Sequence, residues 1–149
     1  TTPAEHAAAD ELKSLQAAAG AGAHGFNRHS ADTTLMQHYR RVAGGRAPDG
    51  GPSQTTSTRS VSHQIHLLAV TTAIEQRRLT GSLDDVVVEV LDRDGLRRLV
   101  GEGFAERGIR YFDADLIRVS FDQSNGQWVT NTFLEVGSGI NPTASITLQ

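Results

Sequence analysis

The stretch LIRVSFDQSNGQWVTNTFLEV, residues 116–136, decides the fold that the sequence predicts. Its two halves, LIRVSF (116–121) and WVTNTFLEV (128–136), alternate apolar with polar residues and are rich in β-branched and aromatic side chains, which is typical of half-buried strands. Between them, Asn125-Gly126 is a favoured turn sequence for a hairpin. The stretch therefore predicts two antiparallel strands joined by a tight turn.

Matching the apolar sides of the two strands predicts which face is buried. The expected core side carries Ile117, Val119, Phe121, Val129 and Phe133. The other face then presents Arg118, Ser120, Thr130 and Thr132, with Trp128 at its edge. Such a face is suited to holding a phosphate and stacking a base, although threonine is also common on solvated strands.

The N-terminal half of the chain has a helical period. PAEHAAADELKSLQAAA (3–19) is Ala-rich and predicts a helix, and its weak apolar face favours a helical lead-in or linker over residues 1–23. A second helix is expected after an Asp32 N-cap. Its buried stripe is expected to be Leu35, Tyr39 and Val42, which leaves His38 and Arg41 exposed.

A third helix is predicted over residues 61–79, with Ser60 as N-cap and Gly81 as its stop. Its inner stripe is expected to be Ile65, Leu68, Ala69 and Thr72. The loop before it, GGRAPDGGPSQTT (44–56), is long and rich in Gly and Pro, as functional loops often are.

From Asp84 the period becomes strand-like. VVVEVL (86–91) and IRYF (109–112) predict strands, residues 95–108 predict a short helix, and the tail GSGINPTASITLQ predicts either an edge strand or a loose end. Helices followed by strands predict an α+β fold, with N-terminal helices packed on a small antiparallel sheet. We expect residues 24–149 to form the catalytic domain.

Composition excludes several classes of protein. A chain of 149 residues has the size of one domain. The absence of cysteine rules out disulfides, thiolate nucleophiles and cysteine-based zinc sites. No long apolar run or secretory signal is visible, so we expect no membrane insertion by this domain. Because the chain begins without Met, we expect it to be part of a larger protein.

Positive charge is concentrated in one window of an acidic chain. The window 24–79 holds seven Arg against Asp32, Asp49 and Glu75, and five of the six histidines, while the whole chain has a net charge of −3. This asymmetry favours either a basic face that meets an anionic partner or simple neutralisation across the fold.

The densest part of this window is HGFNRHSADTTLMQHYRR (24–41). Histidine titrates nearest neutral pH and is the usual proton donor or acceptor in catalysis. Arginine matches the oxygens of a phosphate with its planar fork. Metal-free cleavage of RNA needs a base, an acid and cations around the phosphorane, and this stretch supplies all three.

Other chemistries lack support in the sequence. His24/His29 and His63/His66 have no accompanying HExxH motif or carboxylate cluster, so no metal and no cofactor is expected. There is no G-x-S-x-G motif for a serine triad and no phosphate-binding loop motif.

The chain resembles a known family in the order of four features. These are an H-x-x-x-x-H motif, a helix ending in Arg, the Ser/Thr-rich TTSTRS (55–60) opening another helix, and a late V-T-x-T strand. It is similar to the bacterial ribonuclease A-like toxin domains found at the C-termini of contact-dependent inhibition and other polymorphic toxins. The resemblance covers roughly residues 24–136 and rests on short motifs.

The resemblance implies catalytic residues: the motif histidine and the arginine eleven residues later correspond to His29 and Arg40, and the late-strand threonine to Thr130. Thr132 stands where the family often has Tyr, which puts a phenolic role in doubt, and His24 is expected to be an accessory acid or base. We expect the His29 imidazole, the Arg40 guanidinium and the Thr130 hydroxyl to converge in one cleft. The basic and aromatic residues expected to bind substrate are Arg28, Arg41, Arg118 and Trp128.

The resemblance also implies a biological setting. The domain would be secreted or delivered as part of a larger protein, would cleave tRNA or rRNA in the cytoplasm of a target cell, and would be neutralised by a cognate immunity protein. Two alternatives stay open. One is an ADP-ribosyltransferase toxin, since Arg40 precedes TSTRS, although Glu135 lacks a second glutamate. The other is a non-enzymatic module that binds an acidic partner.

Overall fold

Four helices and six strands make up the part of the chain that the structure, a computed structural model, describes: residues 2–44, 49 and 56–149. The helices are α1 (Pro3–Ala19), α2 (Gly25–His29), α3 (Leu35–Val42) and α4 (His63–Thr80). The strands are β1 (Ser57–Ser60), β2 (Val86–Leu91), β3 (Gly101–Ala105), β4 (Arg110–Phe121), β5 (Trp128–Glu135) and β6 (Ala144–Thr147). The α+β prediction is confirmed.

The long strand β4 organises the mixed sheet, whose order is β1-β3-β4-β2-β6 with β5 also paired to β4. Arg118 of β4 faces both Val87 of β2 and Thr132 of β5, so these two strands lie on opposite edges of β4. On the β2 edge, β3 pairs with the first half of β4. β6 pairs with β2 in parallel, so the tail takes the first of its two predicted alternatives, an edge strand, and makes the sheet mixed where an antiparallel one was predicted.

The β4–β5 hairpin is confirmed, but a bulge changes the position of its tryptophan. Ser120 pairs with Thr130 and Phe121 pairs with Trp128, so Val129 is the extra residue. The bulge places Trp128 opposite a core residue, and it is only 2% exposed. The expected position of Trp128 at the edge of the open face is therefore wrong, because strict alternation does not hold across a bulge.

β1 and β3 replace predicted helical structure. Residues 101–105, expected to be helical, form β3, and Ser57–Ser60, expected to open a helix, form β1. A side chain at Gly103 would lie 2.3 Å from the backbone oxygen of Ser57. The absence of a side chain there lets β1 cross β3 closely, a tertiary contact that local propensity does not encode.

α3 buries a different face from the one predicted. Its N-cap is Thr34, in a capping box with Gln37, and not Asp32. His38 and Arg41 are buried, whereas Tyr39 is 42% exposed. The predicted exposure of His38 and Arg41 is wrong because both find polar surroundings between α3 and β1, which apolar periodicity cannot detect.

α4 begins two residues after its predicted start. Ser62 caps it instead of Ser60, and Gly81 ends it in the left-handed conformation, as expected. Ile65 and Ala69 are buried as predicted, but Leu68 is 41% exposed and His66 lies inside. The helix therefore presents histidine to the core where leucine was expected.

α1 belongs to the same core as the remainder of the chain. Leu12 is fully buried, and the Gln16 side chain accepts hydrogen bonds from the backbone amides of Phe26 and Asn27 at 2.8 and 3.0 Å. Residues 3–19 thus form a packed helix instead of a separate lead-in. Within the described ranges, no helix is long and apolar enough to cross a membrane. The predicted loop 44–56 lies mostly outside the described residues.

Glu5 joins α1 to the start of α4. Its carboxylate accepts hydrogen bonds from the amides of His63 and Gln64, both at 2.8 Å, and from the Ser62 hydroxyl at 3.0 Å. Burial raises the pKa of Glu5, but these hydrogen bonds outweigh burial and the net pKa is lowered. The ionised carboxylate caps the helix and satisfies amides that lack helical partners.

We expect Glu5→Gln to destabilise the protein by about 1–2 kcal/mol at pH 7, measured by urea unfolding. A carboxylate with a lowered folded pKa stabilises above its unfolded pKa and loses this contribution as the pH falls through the folded pKa. The difference between wild type and variant should therefore begin to shrink as the pH falls toward the unfolded pKa of glutamate, about 4.3. Glu11→Gln, an exposed change on the same helix, is the matched control; equal stability of the two variants would contradict the capping role.

Candidate functional site

Five basic side chains of residues 24–41 gather where α2 and α3 meet β1, and we call them the Arg41 cluster: His24, Arg28, His29, His38 and Arg41. Burial is the largest cause that lowers the pKa of each of the three histidines. The nearby charge of Arg41 lowers all three further. Arg41 itself is only 4% exposed and is the common neighbour of the imidazoles.

His29 ends α2 and is held in one tautomer. Its Nδ1 lies 2.9 Å from the backbone oxygen of Thr58. A carbonyl can only accept, so neutral His29 carries its proton on Nδ1 and its lone pair on Nε2. Burial, followed by the positive charge of Arg41, lowers the pKa of His29 to about 3. The ring is therefore neutral at physiological pH, with Nε2 as a proton acceptor.

His38 uses both ring nitrogens inside the protein. The Thr33 hydroxyl donates to the backbone oxygen of Ser30, so it accepts from His38 Nε2 at 2.7 Å. The Ser57 hydroxyl then donates to His38 Nδ1 at 2.5 Å. Burial and the charge of Arg41 lower the pKa of His38 to about 4. With both nitrogens engaged, His38 fixes α3 against β1 and is unsuited to proton transfer.

His24 and Arg28 lie on the more accessible side of the Arg41 cluster. His24 is half-buried and donates from Nδ1 to the backbone oxygen of Gly22 at 3.1 Å. Arg28 Nε donates to both carboxylate oxygens of Asp49, each at 3.0 Å. Asp49 opposes Arg28 and Arg41 electrostatically, because it raises the pKa of His24 while they lower it. The charge of Asp49 also acts on the guanidinium group of Arg41.

A second group of buried polar side chains lies between α4 and β5. His66 Nε2 is 2.8 Å from Asn131 Oδ1, and its ring packs edge-on against Trp128 and Phe133. Burial lowers the pKa of His66 to about 4. In the described part of the chain, Trp128 Nε1 and Asn131 Nδ2 lack hydrogen-bond partners. Since Trp128 is enclosed, it has no open face for stacking a base.

The remaining predicted site residues lie apart from these contacts. Arg40 is exposed on α3, Thr130 and Thr132 are half-buried on the side of β5 opposite Asn131, and Arg118 lies 4.0 Å from Asp85. Among residues 2–44, 49 and 56–149, no hydrogen bond or ion pair joins Arg40, Thr130 or Thr132 to the Arg41 cluster. The convergence of His29, Arg40 and Thr130 stays a prediction.

Three residues that position the site were missed in the sequence. Thr58 and Ser57 hold the two imidazoles from β1, and Asn131 holds His66 from β5. The available signal was weak: a polar residue, Asn131, at an inward position between Val129 and Phe133. Ser57 and Thr58 gave no signal, because their segment was expected to open a helix.

The chemistry of the Arg41 cluster is that of an anion site with proton acceptors. Neutral imidazoles beside guanidinium groups can bind a phosphate and accept a proton from a nearby hydroxyl. No group of three or more metal-ligating side chains occurs in the part of the chain that the structure describes. Comparisons with protein families, with curated proteins and with solved structures found no match to this chain.

We expect stability to fall steeply below pH 6.5, because His29, His38 and His66 have lowered pKa values in the folded state. The unfolded chain then binds protons that the folded chain excludes until about pH 4. Each such histidine should decrease the free energy of unfolding by about 1.4 kcal/mol per pH unit below its unfolded pKa. Urea unfolding at several pH values between 5 and 7.5 measures this slope.

The His38→Gln variant lacks one of the three buried imidazoles. Its free energy of unfolding should therefore decrease by about 1.4 kcal/mol less per pH unit below pH 6.5 than that of wild type. A pH-independent free energy of unfolding in wild type would show that the buried imidazoles are not neutral in the folded protein.

Proposed function

We propose that this protein is a metal-independent ribonuclease, a toxin domain that cleaves RNA by histidine acid/base transphosphorylation. The observation that supports this is the Arg41 cluster, in which neutral imidazoles lie beside two arginines. A phosphodiester carries the charge that such arginines bind, and its ribose carries the hydroxyl that a neutral imidazole deprotonates.

In this mechanism His29 is the base. Its Nδ1–H is fixed by the Thr58 carbonyl, so Nε2 faces away from that bond with its lone pair. Nε2 takes the proton of the ribose 2′-OH, and the 2′-oxygen attacks the adjacent phosphorus. Because His29 is only 6% exposed, the ribose must approach along the junction of α2 and β1.

His24 is proposed as the acid. Burial, and to a smaller extent the charges of Arg28 and Arg41, lower the pKa of its imidazole in the free protein. A bound phosphate offsets their charge and so favours protonation of His24 in the complex. His24 then donates its proton to the leaving 5′-oxygen as the P–O5′ bond breaks. The products are a 2′,3′-cyclic phosphate and a free 5′-hydroxyl.

The arginines stabilise the charge that develops on the phosphorane. Arg28 and Arg41 are proposed to donate to its nonbridging oxygens, which carry more negative charge in the transition state than in the substrate. Three further catalytic residues are proposed on the resemblance alone: Arg40, Thr130 and Thr132. Arg118 is proposed as a contact to phosphate.

The biological setting is part of the proposal. Delivery within a larger protein, action on tRNA or rRNA in the cytoplasm of a target bacterium, and a cognate immunity protein follow from the resemblance to polymorphic toxins. We also propose that this domain needs no cofactor and does not insert into the membrane itself, as its motifs and hydropathy predict.

The alternative function, a non-enzymatic module that binds an acidic partner, is less well supported by the geometry. Three of the seven arginines of the basic window are already paired with carboxylates: Arg28 with Asp49, Arg59 with Glu102 and Arg78 with Glu75. Arg41 is buried. A docking surface needs accessible charge, whereas a catalytic site needs charge beside proton acceptors.

We expect purified protein to cut total tRNA or rRNA in the presence of EDTA, leaving ends with cyclic phosphate. His29→Gln and His24→Gln should each decrease the cleavage rate by about 10²–10⁴-fold, and Arg41→Ala by about 10²-fold. The matched controls are His6→Ala and Arg78→Ala, both exposed and outside the cluster.

Unfolding midpoints of each variant separate loss of chemistry from loss of fold. Intact RNA with the wild-type protein would contradict the proposal, and transfer of label from NAD to protein or nucleic acid would support ADP-ribosylation instead.

The pH dependence of the rate should have a single limb. With a pKa of about 3, His29 is deprotonated throughout pH 5.5–9 and imposes no acidic limb. The rate should therefore fall only as the pH rises and His24 loses its proton. In single-turnover cleavage assays, His24→Gln should give a lower and flatter profile; a bell-shaped wild-type profile in this range would contradict the assignment of His29 as base.

A further inference from the structure

Asp49 holds the position at the Arg41 cluster that an anionic ligand would take. Both of its carboxylate oxygens lie 3.0 Å from Arg28 Nε. Each side chain of this pair is 20% exposed, so the contact lies at the surface of the cluster and is accessible to a small ion. The charge of Asp49 also acts on Arg41 and His24.

The contact with Arg28 is suited to exchange. Arg28 meets Asp49 through one N–H shared between two oxygens, and not through the parallel two-bond fork that gives the strongest arginine–carboxylate pairs. A phosphate offers three or four oxygens of similar acceptor character and can use that fork. A partly exposed ion pair of this kind adds little stability of its own.

The sequence around Asp49 is consistent with a carboxylate that an anionic ligand can displace. Asp49 stands between Pro48 and Gly50 in the Gly/Pro-rich stretch 44–56, whereas the cations that it meets are on helices α2 and α3. The cations are therefore fixed by the fold, and their counter-ion comes from a connecting segment.

We infer that Asp49 is a built-in mimic of the substrate phosphate, which occupies the anion position formed by Arg28 and Arg41 and is displaced when a phosphate group binds. The inference deepens the proposed function, since the phosphate of an RNA substrate is the ligand in question. Asp49 then sets the affinity for substrate: it competes with phosphate and keeps the two arginines from repelling each other in the free protein.

The test is titration with inorganic phosphate at pH 7 and low ionic strength, followed by calorimetry. Asp49→Asn should bind phosphate at least about fivefold more tightly than wild type, because an exposed ion pair worth about 1 kcal/mol no longer competes. Asp94→Asn makes the same change in net charge at an exposed turn and should bind as wild type does. Arg28→Ala should bind at least about fivefold more weakly.

Equal or weaker phosphate binding by Asp49→Asn, with an unfolding midpoint like that of wild type, would overturn the inference. An Asp49→Ala variant repeats the measurement if the asparagine variant is less stable. RNA cleavage by the same proteins keeps the two proposals apart. If Asp49→Asn binds phosphate more tightly but no protein cleaves RNA, the ribonuclease proposal is wrong and the anion site stands. If the proteins cleave RNA but Asp49→Asn does not change the affinity for phosphate, only the proposed role of Asp49 is wrong.

Discussion

Thr58 makes the contacts on which both the Arg41 cluster and the packing of β1 against β5 depend. Its hydroxyl accepts a hydrogen bond from the Phe133 amide at 3.3 Å, and its carbonyl accepts one from His29 Nδ1 at 2.9 Å. One fully buried residue of β1 therefore ties β5 to α2. Without the Thr58 hydroxyl the Phe133 amide would lose this partner, and without β1 in this position the His29 imidazole would lose its carbonyl partner. An unpaired buried polar group costs about 1–3 kcal/mol.

Gly25 allows α2 to approach β5 closely. A side chain at Gly25 would lie 2.3 Å from the Trp128 ring and 2.9 Å from Asn131 Oδ1, so only glycine fits at the start of α2. The His24 amide donates to the Val129 oxygen at 2.8 Å, at the bulged residue. The bulge and Gly25 together hold α2 against β5, and the charge of Arg41 acts on both His24 before the helix and His29 at its end.

The sequence predicted structure well where burial is apolar. The β4–β5 hairpin, β2, α1 and the Gly81 stop follow from alternation, propensity and turn chemistry, all of which act over a few residues. It failed where burial is polar. His38, Arg41, His66 and Asn131 are inside because partners distant in sequence satisfy them: Ser57 lies 19 residues from His38 and Asn131 lies 65 residues from His66.

The same physics limited prediction of the candidate site. His24, Arg28, His29 and Arg41 were identified from residue type, since clustered histidine and arginine indicate proton transfer and anion binding. Their relative arrangement was not predictable, because His38 and Arg41 were assigned to an exposed face. Arg40 was assigned from the resemblance, as the arginine eleven residues after His29, whereas the charge of Arg41 acts on all three imidazoles of the cluster.

Charge balance explains how an acidic chain can present a site for a polyanion. Elsewhere on the surface, arginines are paired with carboxylates, as Arg97 is with Glu89 and Asp115, and Arg110 with Glu106 and Glu135. In the Arg41 cluster the imidazoles of His29 and His38 are neutral, and the carboxylate of Asp49 contacts Arg28 and acts on the charge of Arg41. In the proposed complex a phosphate displaces Asp49 and takes over its role as counter-ion. Recognition of the proposed RNA substrate beyond that phosphate must then come from contacts outside the Arg41 cluster, at the junction between α2, α3 and the sheet.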